Sequence, residues 1–248
     1  MRDPIDLFSR HSRHYKTFRP SYPSALYHDV LSFTSGRKCC WDCATGNGQV
    51  AVEMAKHFQS VCATDISRHQ LLQSPTLSNI HYVQGRAEKT AFDDASFDLI
   101  TVGQALHWFD HLAFNMEAKR VLRPGGSIAV WTYGILRISP SIDAIIDEFY
   151  RDVIGPYWAP ERSHVDSKYA DIPFDFSNVR KFQYRLQLTW TLRHLEGYIN
   201  TWSSVQKYKE TNGEKNPVKW IMDRIDSILA SENSLTVEFP LFLQIGQN

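Results

Sequence analysis

Two acids and two glycines in the first third of the chain are spaced to hold a ligand largely from backbone. Asp42 closes a short apolar run, Gly46 and Gly48 follow with one residue between them, and Asp65 ends the next apolar run nineteen positions after Gly46. Glycine serves where a turn takes positive φ or where a ligand must come closer than a Cβ allows. An acid about 20 residues beyond such a turn is where a nucleotide-binding βαβ unit holds its ribose. The arrangement reads as an adenosine-type cofactor site. Asp42 adds a sign to it, because a pyrophosphate beside that carboxylate would be repelled by about 1–4 kcal/mol. A cationic or zwitterionic ligand end would be welcomed there. Gly46-Asn47-Gly48-Gln49-Val50-Ala51 also satisfies the dinucleotide pattern GxGxxG/A, which by itself is a weak signal. An NAD-dependent oxidoreductase is therefore a rival reading, and a turn with no ligand is the bland one.

A second group of chemical residues follows the apolar run Phe97–Val102: Gln104, then His107-Trp108-Phe109. Side chains just beyond the carboxyl end of a buried strand face the ligand crevice of an open α/β sheet. From there His107 could take a proton from an attacking hydroxyl or amine, or hydrogen-bond a substrate carboxylate. The alternative is a histidine satisfied by backbone at a helix start, beside a core tryptophan. Cys40 and Cys43 form a CxxC, but along a strand they fall on opposite faces. No second CxxC and no matching His pair follows, so no metal site is expected.

The elements that must position these residues alternate. Strands are expected at about 38–43, 60–65, 80–83, 97–102 and 128–132, with helices at about 48–58, from Ser67, and over 112–122, where RPGG (123–126) stops the last. That rhythm means a mostly parallel sheet with right-handed crossovers. After Tyr133 the rhythm changes: a helix over 142–150, a stretch without clean period, an alternating strand over 183–191, a helical stripe Leu195–Ile199–Trp202–Val205 and a helix over 218–229. A stripe of that kind is usually core. Residues 234–245 read as two short strands broken at Pro240. The chain is expected to be one domain: an N-terminal arm and helix (1–35), a cofactor-binding half (36–133), an aromatic-rich substrate lid (134–233) and final strands (234–248).

At 248 residues, a chain of this kind hides roughly 70–75% of its extended surface and needs no metal or disulfide staple. Lys+Arg and Asp+Glu balance at 27 each, so no global field draws nucleic acid or an anionic membrane. Neither a signal peptide nor a run of about 20 apolar residues is visible. The expectation is a cytoplasmic protein, monomeric or a weak homodimer, acting on a small molecule.

DCATGNGQ, ATD, GRAE, FDLITVGQALHWF and RVLRPGG, in that order, resemble the motif set of class I S-adenosylmethionine-dependent methyltransferases. HYKTFRPSYP, QALHWF and TWSSVQKY resemble more closely the small-molecule subfamily that includes trans-aconitate methyltransferase-like proteins. The resemblance implies a Rossmann-like seven-stranded, mostly parallel sheet with an antiparallel C-terminal strand and a helical lid. It implies that Asp42, Ala44, Thr45, Gly46, Asn47 and Gly48 hold the methionine part of the cofactor and that Asp65 binds the ribose hydroxyls. Ile66, Arg86, Ala87 and Glu88 would meet the adenine, Gln104 the methionine, and Tyr15 and Arg19 the carboxylate end. His107 is the candidate catalytic residue. His107, Trp108, Tyr133, Trp158 and Trp202 are candidates for the acceptor site, and the product would be S-adenosylhomocysteine. Two departures stand out. Ala44 occupies the place of a usual glycine, and Arg86 that of a usual acid. They motivate a second reading, a degenerate relative that holds the cofactor without catalysis.

Overall fold

The computed structural model describes residues 17–229 and 234–248; Tyr15, expected near the cofactor's carboxylate, lies outside them. Seven strands form one sheet in the order β3-β2-β1-β4-β5-β7-β6. They are β1 (Cys39–Cys43), β2 (Ser60–Asp65), β3 (Ile80–Gln84), β4 (Phe97–Gly103), β5 (Leu122–Tyr133), β6 (Ser177–Trp190) and β7 (Leu235–Gln247). The first five are parallel, and β7 inserts antiparallel between β5 and β6. The helices are α1 (Ser24–Phe33), α2 (Gln49–Met54), α3 (Arg68–Leu71), α4 (His111–Val121), α5 (Pro140–Glu148), α6 (Arg162–Asp166), α7 (Leu192–Asn200), α8 (Ser203–Thr211) and α9 (Val218–Leu229).

Strand alternation sorts the core into two layers. Cys40 packs with Leu26, Val50 and Met54 on one face, and Trp41 and Cys43 with Ile100 and Phe114 on the other. Cys40 and Cys43 therefore lie apart, both fully buried, and all four cysteines are free. Phe97 to Val102 is buried throughout, as a strand covered on both faces must be. Its one acid, Asp98, accepts the amides of Lys38 (2.7 Å) and Cys39 (2.9 Å) and pairs with Arg123. Burial pushes that carboxyl up, but Arg123 and the two amides outweigh it and hold it below its ordinary value.

Four expectations after Gly103 change. The RPGG stretch ends α4 but lies within β5, as an irregularity between the Phe97–Leu122 and Leu99–Ser127 pairs with Gly125 at φ 73°. β6 begins at Ser177, six residues before its alternation becomes visible, because residues 177–181 at the sheet edge are exposed on both faces. It belongs to the sheet, so the 134–233 lid is two pieces around a strand. The stripe through Trp202 is two helices, α7 and α8, with Trp202 extended between them (φ −68°, ψ 133°). Finally, β7 runs unbroken through Pro240. The Pro240 carbonyl accepts the Gly134 amide at 2.9 Å; proline cannot return the reciprocal bond, and β5 has just left the sheet there.

Candidate active site

The loop after β1 is held by its own acids. Asp42 is 1% exposed; its carboxylate accepts the hydroxyls of Thr45 and, at 2.8 Å, of Thr101 on β4. Burial raises its pKa to about 6, against the opposing hydrogen bonds from Thr45, Thr101 and the Ala51 amide. Its hydrogen bonds go to the loop and to β4, so Asp42 fixes the turn whatever charge it also presents to a ligand. Thr45 in turn donates its amide to the Thr64 carbonyl (2.9 Å), tying the turn to β2.

Ala44, Gly46 and Gly48 all lie in the left-handed region, at φ 55°, 58° and 83°. A Cβ on Gly48 would stand 2.5 Å from the Tyr82 hydroxyl, whereas among the described residues a Cβ on Gly46 would meet nothing within 4 Å. Among those residues, the space over Gly46 leaves room for a ligand against the backbone. Asp65 closes that space: its two oxygens accept the Gly46 amide and the Ser67 amide, each at 2.8 Å. Asp65 thus holds the loop with both carboxylate oxygens. One strand over, the Gly85 amide bonds the Asp65 carbonyl (3.0 Å), which sets Arg86 to Glu88 beside Asp65 and Ile66. Arg86 and Glu88 form an ion pair at 3.6 Å, and Glu88 also accepts the Asp110 amide at 3.1 Å. Arg86 thus stands paired with the acid two residues on. Ala87 is buried against the second core layer.

The other half of the site lies beyond β4. Gln104 takes φ 58°, and its amide oxygen accepts the Thr132 hydroxyl and the Tyr133 amide (3.1 Å), anchoring it to the end of β5. Around it a cavity of about 50 Å³ opens, small beside the roughly 300–1,000 Å³ of pockets for drug-sized ligands. Its walls include Arg19, Gln104, His107, Trp108, Tyr133, Trp158, Arg162, Tyr198 and Trp202. Arg19 donates to the Tyr133 hydroxyl (2.8 Å) and the Thr201 carbonyl (3.3 Å), over the Tyr198 ring. His107 is buried, with Nδ1 2.9 Å from the Tyr169 hydroxyl. Burial first, then the charges of Arg162, His164, His111 and Arg19, hold its pKa well below the ordinary value, so the ring is neutral at pH 7. Trp202 belongs to both readings: it is buried, and it packs on Tyr150 and Trp158 while lining the cavity.

Most of the described sequence-predicted residues therefore fall into two groups at the carboxyl ends of neighbouring strands, joined by the Asp42–Thr101 hydrogen bond, and Arg19, Trp158 and Trp202 reach the second from other segments. Among the described residues no grouping of three His, Cys, Asp or Glu could hold a metal, and no helix is long and apolar enough to cross a membrane. Tyr169, Arg162 and Tyr198 were not read as site residues. Arg162 comes from the stretch between α5 and β6, which has no clean period. Tyr169 and Tyr198 were visible only as aromatics among the many of 134–233.

The strand order, the glycine turn after β1 and the acid that ends β2 define a Rossmann-like class I methyltransferase. A methyltransferase-domain family profile matches residues 41–130. A Dictyostelium discoideum protein named as a methyltransferase is 32% identical over 250 residues, covering 98% of this chain and 95% of its own. The solved structure of a type II methyltransferase from Anaeromyxobacter dehalogenans superposes with a TM-score of 0.83 at 33% identity, over 93% of this chain and 98% of that one. The fold alone is shared with Haemonchus contortus phosphoethanolamine N-methyltransferase 2, solved with S-adenosyl-L-methionine: TM-score 0.51, 16% identity, 97% of this chain and 57% of that one. This chain belongs to the methyltransferase family, and it is an S-adenosylmethionine-dependent enzyme.

Proposed function

We propose that the chain transfers the methyl group of S-adenosylmethionine to an oxygen of a small soluble acceptor, a carboxylate or a hydroxyl, in the cavity beyond Gln104. The observation that carries the reading is the lining of that cavity: two guanidiniums, a neutral His107 and aromatic rings, with no Asp or Glu among the described lining residues. Such a wall favours an acceptor that brings oxygen lone pairs or negative charge.

The cofactor, when bound, supplies an activated methyl and a neutral leaving group, so the protein's work is alignment and exclusion of water. Asp65 would hold the ribose hydroxyls and Ile66, Arg86, Ala87 and Glu88 would border the adenine. The Ala44–Gly48 turn, Gln104 and Arg19 would take the methionine end. Trp158, Trp202 and Tyr133 would confine the acceptor, and His107 would hydrogen-bond it. Holding the nucleophile about 3 Å from the methyl carbon can remove up to about 7–11 kcal/mol of barrier.

His107 favours the carboxylate acceptor over the hydroxyl. A ring whose basicity is depressed chiefly by burial, with the Arg162 guanidinium adding to it, is a poor proton acceptor, and a carboxylate nucleophile has no proton to lose. The test is incubation of the protein and cofactor with small carboxylic acids and alcohols, read by product mass. Methyl esters from acids support the reading. Transfer only to amines would contradict it.

A further inference from the structure

Arg162 is held on one side and open on the other. Its Nε–H donates to the Tyr150 hydroxyl at 2.8 Å, and that hydroxyl donates to Asp166 at 2.8 Å. Burial chiefly raises the Tyr150 pKa to about 12, so the phenol keeps its proton and the chain Arg162–Tyr150–Asp166 keeps its direction. The guanidinium carbon lies 4.8 Å from the centroid of Trp158, which fixes the plane of the fork. Among the described residues, Nη1 and Nη2 make no hydrogen bond, leaving four N–H donors on a side chain that is 22% exposed and lines the cavity. The indole N–H of Trp158, on the same wall, is buried and has no acceptor among the described residues either.

A buried donor without an acceptor costs free energy that a ligand can recover. A planar fork of parallel N–H groups matches a carboxylate bidentately. A neutral acceptor would leave those donors without a matching anion, and a cationic one would add a like charge between Arg162 and Arg19. From this geometry we infer that Arg162 is the residue that selects the acceptor by charge: it grips an anionic carboxyl group of the acceptor with Nη1 and Nη2 while Trp158 covers it. The inference rests on the methyl-transfer reading and assigns the selection to Arg162, leaving Arg19 to the methionine end.

The test is calorimetric titration of the full chain with benzoate and crotonate against benzamide and crotonamide, with and without saturating S-adenosylhomocysteine. Wild type is expected to prefer each acid over its amide by at least about tenfold. Arg162→Gln should erase that preference while leaving the affinity for S-adenosylhomocysteine unchanged, and Arg162→Lys, which keeps charge but loses the fork, should fall between. If Arg162→Gln lowers the melting temperature, Arg162→Lys carries the test alone. Wild type that treats acid and amide alike, or binds neither, overturns the assignment, as does either variant retaining the full preference. Failure of wild type to bind S-adenosylhomocysteine would instead count against the methyl-transfer reading, and shows in a titration that contains no acid.

Discussion

Nδ1 of His107 lies 2.9 Å from the hydroxyl of Tyr169, a contact that ties the crevice after β4 to the segment between α6 and β6. Burial chiefly pushes the Tyr169 pKa up, so both partners are neutral at pH 7 and share one proton between them. The contact positions the ring and at the same time makes its protonation costly.

That cost has a pH signature. His107 has a folded-state pKa well below its unfolded value, so below about pH 6.5 the unfolded chain binds the extra proton and the folded chain does not. The stability contributed by the neutral ring is present above that pH and lost as the pH falls beneath it. His107→Gln should flatten the decline in melting temperature between about pH 6.5 and 5. An unchanged slope would mean that the ring titrates normally.

Asp42 predicts the opposite sign. Its folded pKa of about 6 lies above the unfolded value of 3.8. Between those values the folded chain binds the proton, so this group's contribution to stability falls as pH rises through the window, by roughly 2–4 kcal/mol for a shift of this size. Titration of the Asp42 carboxyl carbon by NMR should show a midpoint near 6, and a midpoint below 4 would refute the account of a carboxylate buried against the loop.

The turn makes a conformational prediction. Ala44 adopts φ 55°, a region costing an L-residue about 1–2 kcal/mol, partly offset in a glycine variant by about 0.4–1 kcal/mol of unfolded-state entropy. Ala44→Gly should therefore be neutral or stabilising by up to about 1 kcal/mol in thermal unfolding. Gly48→Ala, whose Cβ would meet the Tyr82 hydroxyl at 2.5 Å, should destabilise by about 1–3 kcal/mol and weaken cofactor binding. Equal effects of the two changes would show that the turn relaxes freely.

The nucleotide-like half of the site was legible because its determinants are local. Glycines at positive φ, an acid at each strand end and buried strands with continuous apolar runs leave marks within a few residues of themselves, and the Gly46 amide N–H does donate a hydrogen bond to Asp65. The acceptor cavity was only half legible. Trp158 and Trp202 could be picked as aromatics, but Arg162 and Tyr169 are brought to His107 by a segment whose course is set by packing on distant elements. The same cause hid the start of β6, where exposed edge residues carry no alternation, and the break at Trp202. There, four buried side chains at helical spacing span two helices. Pro240 misled in the other direction: a proline inside a strand is tolerated where the neighbouring strand has already departed.

The central claim is that the Gly46–Asp65 unit holds an adenosyl cofactor rather than a dinucleotide. Parallel calorimetric titration with S-adenosylmethionine, S-adenosylhomocysteine and NAD tests it most directly, with Asp65→Ala as the site control. Micromolar binding of both adenosyl ligands and none of NAD is predicted, with Asp65→Ala weakening both by about tenfold or more. Dissociation constants worse than millimolar for the two adenosyl ligands, or binding of NAD instead, would contradict it.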